Sequence, residues 1–127
     1  MEKGDAVPEL KVTPDKYVTY RYAGASGDFN PIHIDEEFAK AVGLPGRILH
    51  GLWTMAQVAR AAEQAGGGFL NLKRLSVQFR GMGQLEQEIT VTGSVGDAGD
   101  GRAVLELEAA QGDQRIIRNG AAEISTA

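Results

Sequence analysis

One stretch of the chain contains no charged residue, and this restricts the folds that the chain can adopt. Residues 48–59 lack Asp, Glu, Lys and Arg, and Arg47 and Arg60 stand on either side of them. A helix that is apolar around most of its circumference is normally buried on several sides. We therefore expect residues 48–59 to form a buried central helix, which Gly66 ends.

The pattern changes from helical to alternating after Gly68. Apolar and polar residues then alternate in short segments separated by glycine-containing turns. Strands are expected at residues 75–80, 89–95, 105–109 and 115–124, with a further short strand possible at 9–12. Consecutive half-buried strands with short connections form antiparallel sheets. The prediction is an α+β chain whose antiparallel sheet curls around one apolar helix.

The N-terminal half is predicted to be mostly helical. Thr13, followed by a proline and an acid, is typical of a helix start, so we expect a helix from Thr13 to about Ala25. Residues 26–31 have the composition of a turn. Asp35 is expected to cap a second, short helix at residues 36–42.

Size and composition exclude several classes of protein. The chain is predicted to be one domain over residues 1–127. The absence of cysteine excludes a disulfide framework, a thiol nucleophile and a cysteine-based metal site. The net charge of -4 argues against general nucleic-acid binding, and no apolar run approaches the roughly 18 residues that span a membrane. The polar start lacks the apolar core of a signal peptide, so we expect a cytoplasmic protein.

Asp28 and His33 are the strongest candidates for proton chemistry. They lie five positions apart on a turn that contains an Asn-Pro pair. A carboxylate and an imidazole together donate and accept protons near neutral pH, and a loop can direct both at one substrate atom. The alternative is structural, with Asp28 capping a helix or stabilising a turn and His33 satisfied in the core.

The His50-Gly51 pair at the head of the uncharged stretch is the second candidate. An N–H in the first turn of a helix has no intrahelical partner, and a glycine lets a substrate carbonyl approach closely because it has no Cβ. In the alternative interpretation Gly51 is only an N-cap and His50 a polar neighbour. The spacing alone leaves both interpretations open.

A metal site built from Asp28, His33, Asp35 and His50 is a further alternative. No helix carries a His-x-x-x-His or Glu-x-x-His pattern, so no metal is expected. No phosphate-binding loop is visible, and no cofactor is expected. Six of the basic residues outside the central helix are expected to be solvated strand and loop positions, although a subset of the six could line the entry to a phosphate-bearing carrier. They are Arg47, Lys73, Arg74, Arg80, Arg115 and Arg118.

Two segments together resemble a known motif. Residues 22–33 read YAGASGDFNPIH and residues 48–54 read ILHGLWT. They are similar to the hydratase motif of MaoC-like dehydratases, the (R)-specific enoyl-CoA hydratases and (3R)-hydroxyacyl-carrier-protein dehydratases. The sequence of the first segment is most similar to that of the beta subunit of the mycobacterial-type dehydratase. The close match covers about residues 17–56, and the remainder agrees only in its strand pattern.

The resemblance implies a hotdog fold, in which an antiparallel sheet wraps a long central helix and dimers form through sheet edges. It implies that Asp28 and His33 are a catalytic dyad and that the Gly51 N–H holds the thioester carbonyl. Asn30 falls on the motif asparagine and is expected to support the loop. The implied partners are an acyl-CoA or acyl-carrier-protein thioester and a second hotdog chain, identical or different.

This chain departs from the family pattern at two places. A serine that supports the dyad in some members is replaced by Ala59, and residues 84–88 read QLEQE where many members have Pro-Gly-Asp. The first departure concerns the support of the dyad, and the second concerns the edge of the substrate tunnel. Neither changes Asp28, His33 or Gly51.

The resulting hypothesis is a lyase that hydrates trans-2-enoyl thioesters reversibly to (3R)-3-hydroxyacyl thioesters. Two alternatives stay open. A hotdog thioesterase would need an acid on the central helix, for which Glu63 is the candidate. Alternatively, the chain is a subunit that is active only with a partner hotdog chain.

Overall fold

Alternating apolar residues place one face of five strands against a single long helix. The computed structural model describes residues 1–127. The strands are β1 (Ala6–Val12), β2 (Leu72–Phe79), β3 (Ile89–Gly99), β4 (Arg102–Gln111) and β5 (Gln114–Ser125). All pairings are antiparallel in the order β1-β3-β4-β5-β2, so β1 and β2 are the edges. The predicted α+β architecture is confirmed.

Four helices complete the fold. They are α1 (Val18–Ser26), α2 (Pro31–Ile34), α3 (Glu36–Ala41) and α4 (Gly51–Gly66), and a short 3-10 turn at Phe69–Asn71 leads from α4 into β2. The first three helices and the loop after them precede α4 in the chain and supply most of the candidate site. None of the helices has both the length and the apolar character that crossing a bilayer requires.

The central helix α4 is buried on one side only. Val58, Ala61 and Ala62 are buried against the sheet, and the small alanine side chains allow the strands to approach closely. On the opposite side Leu52, 62% exposed, and Arg60 face outward. The expectation of a buried helix is therefore correct for its sheet-facing side, while one side stays open in the single chain.

Helix α1 begins at Val18, not at the predicted Thr13. The segment before α1 is hydrogen-bonded to a distant part of the chain, because the Pro14 carbonyl accepts the Glu86 N–H at 2.7 Å. Asp15 turns the chain instead, with its side chain accepting the Tyr17 N–H at 2.7 Å. A long-range contact that no local pattern reveals has displaced the helix start.

Two other boundaries differ from the sequence prediction. Residues 31–34 form the one-turn helix α2, where the sequence predicted a turn at 26–31 and no element at 32–34. Ile48, the first residue of the uncharged stretch, lies before α4: its N–H bonds the Ile32 carbonyl at 3.1 Å, and it forms a bridge with Gln84. Helix α3 begins as predicted, with the Asp35 side chain accepting the Phe38 N–H.

Candidate active site

The loop between α1 and α2 carries Asp28. Gly27 ends α1 in the left-handed conformation, with φ 80°, which glycine adopts without steric penalty. Asp28 Oδ1 accepts the Asn30 N–H at 3.2 Å, and Asn30 Oδ1 accepts the Ile32 N–H at 3.2 Å and caps α2. These two side-chain turns fix the loop, and Asp28 Oδ2 stays available to face the site.

Helix α2 places His33 next to this carboxylate. The His33 side chain is 9% exposed and that of Asp28 is 52% exposed. His33 Nδ1 lies 2.8 Å from the Ile48 carbonyl oxygen; this oxygen only accepts, so Nδ1 carries a proton and the lone pair of the neutral ring is on Nε2. Nε2 and Asp28 Oδ2 are 3.9 Å apart, too long for a direct hydrogen bond but suited to one water that bonds both.

A second histidine lies directly against the first. His50 is 2% exposed, and its ring stacks on that of His33 with centroids 3.9 Å apart and an interplanar angle of 20°. His50 Nε2 is 3.0 Å from the Asp28 carbonyl oxygen. The ring of Tyr22 approaches His50 at a tilted angle, at 4.8 Å. Sequence reasoning named His50 as the neighbour of Gly51 and as a ligand in the metal alternative, and the structure places it against His33 in the centre of the cluster.

Gly51 is the first residue of α4, and His50 is its N-cap. The Gly51 N–H has no acceptor within the chain and lies at the positive end of the helix dipole. A cavity of about 290 Å³ brings this amide together with Asp28; it is lined by Tyr22, Ser26, Asp28, His50, Gly51, Leu52 and Phe79. A Cβ built on Gly51 would come within 3.2 Å of the Phe79 ring, so the missing side chain keeps the approach to the amide open.

The donor atoms of Asp28, His33 and His50 lie within 4.8 Å of one another, as a metal site requires. The ring arrangement does not fit such a site. The ring planes are nearly parallel and their centroids are 3.9 Å apart, so the in-plane lone pairs of the two imidazoles lie in separate planes, whereas the lone pairs of metal ligands must converge on one point. One nitrogen of each ring is also engaged with a backbone carbonyl. Asp35, which the metal alternative included, caps α3 instead.

Arg47 is not solvated as the sequence predicted. Its side chain is 12% exposed, and its guanidinium donates to the Thr19 hydroxyl at 2.9 Å and to the Lys16 carbonyl at 3.0 Å. It also pairs with Glu36 at 3.3 Å and lies over the Tyr20 ring at 4.5 Å. Arg47 thus connects α1 and α3 to the segment that carries the Ile48 carbonyl. No local signal could have revealed this, because its partners on α1 and before it are about thirty positions away.

Comparison with known proteins gives a family match over most of the chain. Residues 1–114 match the profile of the MaoC like domain. A peroxisomal hydratase-dehydrogenase-epimerase of Neurospora crassa is 40% identical over 77 residues, which are 61% of this chain and 8% of that protein. The chain therefore spans less than a tenth of the length of this curated relative.

Two solved structures share the fold over nearly the whole chain. The ChsH1-ChsH2 complex of Mycobacterium tuberculosis contains a chain with TM-score 0.88 and 22% identity, with 98% of both chains covered. The (R)-hydratase from A. caviae involved in PHA biosynthesis has TM-score 0.88 and 21% identity, with 98% of this chain and 97% of that chain covered. The predicted hotdog fold is confirmed.

Proposed function

The chain belongs to the family of the MaoC-like domain, and from this premise we propose that it is a hydro-lyase. It would add water reversibly to trans-2-enoyl thioesters and give (3R)-3-hydroxyacyl thioesters. One observation carries the proposal: the Asp28 carboxylate lies 3.9 Å from His33 Nε2 and lines one cavity with the Gly51 amide, a helix-terminal N–H that has no partner. We also propose that residues 1–127 form one hotdog domain.

The geometry supports a mechanism with one shared water. A water held by Asp28 Oδ2 and His33 Nε2 loses a proton to one of them while its oxygen forms a bond with C3 of the enoyl group. Electrons move from the C2–C3 double bond toward the thioester carbonyl, and C2 then takes up a proton. Asp28 and His33 are the groups that transfer these protons, in an order that the proposal leaves open.

Gly51 is proposed to stabilise the negative charge that develops on the carbonyl oxygen. Its N–H and the positive end of α4 both favour an anion at that position. Removing one donor of this kind typically costs about 10²- to 10³-fold in rate. Asn30 is proposed to support the loop, because its side chain accepts the Ile32 N–H and caps α2.

The test is hydration of crotonyl-CoA, followed by loss of enoyl absorbance and by chiral analysis of the product. Gly51→Ala should lower kcat at least tenfold, since the added Cβ crowds the approach to the amide beside the Phe79 ring. Gly24→Ala is the matched control: Gly24 is also a helical glycine, and a Cβ there meets nothing within 4 Å. Equal kcat values for the two variants would remove Gly51 from the mechanism.

The thioesterase alternative is not favoured. Glu63, the acid it requires, is twelve positions along α4 from Gly51, and at 1.5 Å per residue this is about 18 Å along the helix. An acid at that distance cannot activate water at a carbonyl held by the Gly51 amide. Release of free thiol from acyl-CoA, with unchanged enoyl absorbance, would support the thioesterase instead.

We propose that a second hotdog chain pairs with the β2 edge, whether identical or different. Large apolar side chains are exposed along this edge and before it, namely Phe69 (69%), Leu70 (73%) and Phe79 (49%). Phe79 also lines the cavity at Gly51, so a partner there would cover the site. Sedimentation and activity of the purified chain, alone and with a co-expressed hotdog chain, distinguish an identical partner from a different one. The carrier, CoA or acyl-carrier protein, and a cytoplasmic location stay predictions.

A further inference from the structure

The Nδ1 atom of His50 is the only buried side-chain nitrogen or oxygen that lacks a hydrogen-bond partner. Buried polar groups are rarely left unpaired, because each such group loses its bonds to water and gains nothing in return. The mechanism proposed above does not use this nitrogen. This nitrogen belongs to a ring that touches the proposed catalytic histidine, and its lack of a partner indicates the tautomer of that ring.

The surroundings of His50 fix which nitrogen carries the proton. Nε2 is 3.0 Å from the Asp28 carbonyl oxygen, which only accepts, so Nε2–H donates to it. Nδ1 is then a bare lone pair. A proton on Nδ1 would be a buried donor without an acceptor, which is unfavourable. The favoured tautomer of His50 therefore carries its proton on Nε2.

The two stacked rings accordingly have opposite tautomers. His33 donates from Nδ1 to the Ile48 carbonyl and has its lone pair on Nε2, whereas His50 donates from Nε2 to the Asp28 carbonyl. Each histidine is therefore bonded to the backbone of a different segment. The stack at 3.9 Å connects these two segments through the rings. The other aromatic group against His50 is Tyr22, and the carboxylate of Asp28 faces His33.

We propose that His50 is a positioning residue, which sets the distance between the Asp28 carboxylate and His33 Nε2 through its Nε2–H donation to the Asp28 carbonyl. This inference rests on the proposed hydration activity. His50 contacts no reacting atom in it. Its hydrogen bond anchors the backbone of the residue whose side chain holds the water, and its ring covers one face of His33. Without the donor, the loop that carries Asp28 loses its only side-chain anchor to the start of α4.

The first experiment uses the unaltered protein. The chain has two histidines, so nitrogen-15 NMR of the imidazoles shows two ring systems, and the His50→Gln spectrum assigns them. At neutral pH we expect His33 as the Nδ1–H form and His50 as the Nε2–H form. If His50 carries its proton on Nδ1, the donor to Asp28 is absent and the proposal is overturned.

The second experiment separates the donor from the ring and from the helix cap. His50→Gln keeps an N–H donor that reaches toward the Asp28 carbonyl. His50→Phe keeps an aromatic ring against His33 but cannot donate. His50→Asn introduces one of the best N-cap residues at the N-cap of α4, while its side chain is too short to reach Asp28. If His50 acted only as the N-cap of α4, the Asn variant would be at least as active as the parent.

We expect kcat for crotonyl-CoA hydration to fall about 10- to 100-fold in the Phe and Asn variants, with KM within about threefold, because a small displacement of a catalytic group costs that much. The Gln variant should retain kcat within about fivefold. Equal kcat in all three variants, whether high or low, overturns the positioning role, as does a loss confined to KM. An inactive parent chain that still shows the expected tautomers, alone and with a partner, would count against the hydration activity and not against the hydrogen bond.

Discussion

The helical layer of residues 13–50 and the five-stranded sheet are held together by different forces. In the helical layer the contacts are directional and polar, such as the Arg47 guanidinium bonds and the side-chain turns of Asp28 and Asn30. Where the sheet packs against α4, the side-chain contacts are apolar: of the 18-residue buried cluster, only Val18 and Leu49 come from residues 13–50. The rest line the strands and α4.

This difference explains why the site lies where it does. Apolar burial is roughly proportional to area and has no direction, so it stabilises a fold without placing a proton donor. Hydrogen bonds have narrow distance and angle requirements, so they can fix a carboxylate and an imidazole relative to each other. The sheet and α4 therefore provide stability, and the helical layer together with the start of α4 provides geometry. Mutations in the sheet should therefore lower mainly the free energy of unfolding, whereas mutations of the polar groups in the helical layer should lower mainly kcat.

The largest effect should come from Asp28→Asn, which tests whether activity can be lost without stability. The substituted amide oxygen still accepts the Asn30 N–H, so the loop is retained, but the side chain no longer accepts a proton. We expect kcat for enoyl-CoA hydration to fall about 10²- to 10⁴-fold with Tm unchanged within a few degrees. His33→Ala should lower kcat similarly.

Asp35→Asn is the control for that prediction. It is the same substitution at an exposed acid of the same layer, and asparagine also caps a helix well, so α3 should persist. We expect kcat within about twofold of the parent value. An Asp28→Asn protein with near-normal turnover would mean that the polar layer does not carry the chemistry.

The next largest effect should come from a substitution in the sheet. Leu105 on β4 is fully buried, and Leu105→Ala should lower the free energy of unfolding by about 2–5 kcal/mol. The kcat of the folded protein should stay near the parent value. Urea unfolding and active-site-normalised rates measure the two quantities. Val42→Ala, at a 54% exposed side chain, should change stability by no more than about 0.5 kcal/mol.

Arg47→Met should lower both the free energy of unfolding and kcat, because Arg47 contributes both to stability and to the geometry of the site. It leaves the buried Thr19 hydroxyl without its donor and releases the segment that orients His33 through the Ile48 carbonyl. We expect a loss of about 1–3 kcal/mol in unfolding free energy together with a fall in kcat of about tenfold.

Arg102→Met provides the matched arginine in the sheet. Arg102 is half exposed and pairs with Glu123 at 3.6 Å, and exposed pairs of this kind contribute at most about 1 kcal/mol. Its kcat should not change. If Arg47→Met resembled Arg102→Met in both readouts, the connection of the helices to the site through Arg47 would be wrong.

The smallest effect concerns the exposed pair at the start of α1. The hydrogen bond from Arg21 lowers the pKa of Asp15 below its ordinary value of 3.8. The stabilisation is therefore present above that ordinary value and is lost as the pH falls through the lowered pKa. Asp15→Asn should remove only this acidic part of the dependence of Tm on pH, by an amount near the limit of measurement. A large change in Tm at neutral pH would contradict it.

Much of the fold was predictable because its signals are local. The switch from the uncharged helix to alternating strands after Gly68 predicted both the sheet and its antiparallel pairing. Asp35 predicted the start of α3 for the same reason, since capping involves only neighbouring residues. The helix predicted from Thr13 failed because the Pro14 carbonyl bonds Glu86, a residue 72 positions later.

For the candidate site, the sequence by itself determined which groups are present: a carboxylate and an imidazole five residues apart and a glycine at the start of an apolar helix. Only the tertiary structure decided how they are related. It stacked His50 on His33, fixed opposite tautomers through two backbone carbonyls, and placed Arg47 in the interior. Side-chain geometry of this kind depends on hydrogen bonds between segments about fifteen to thirty residues apart, and these form only when the sheet and α4 have brought the segments together.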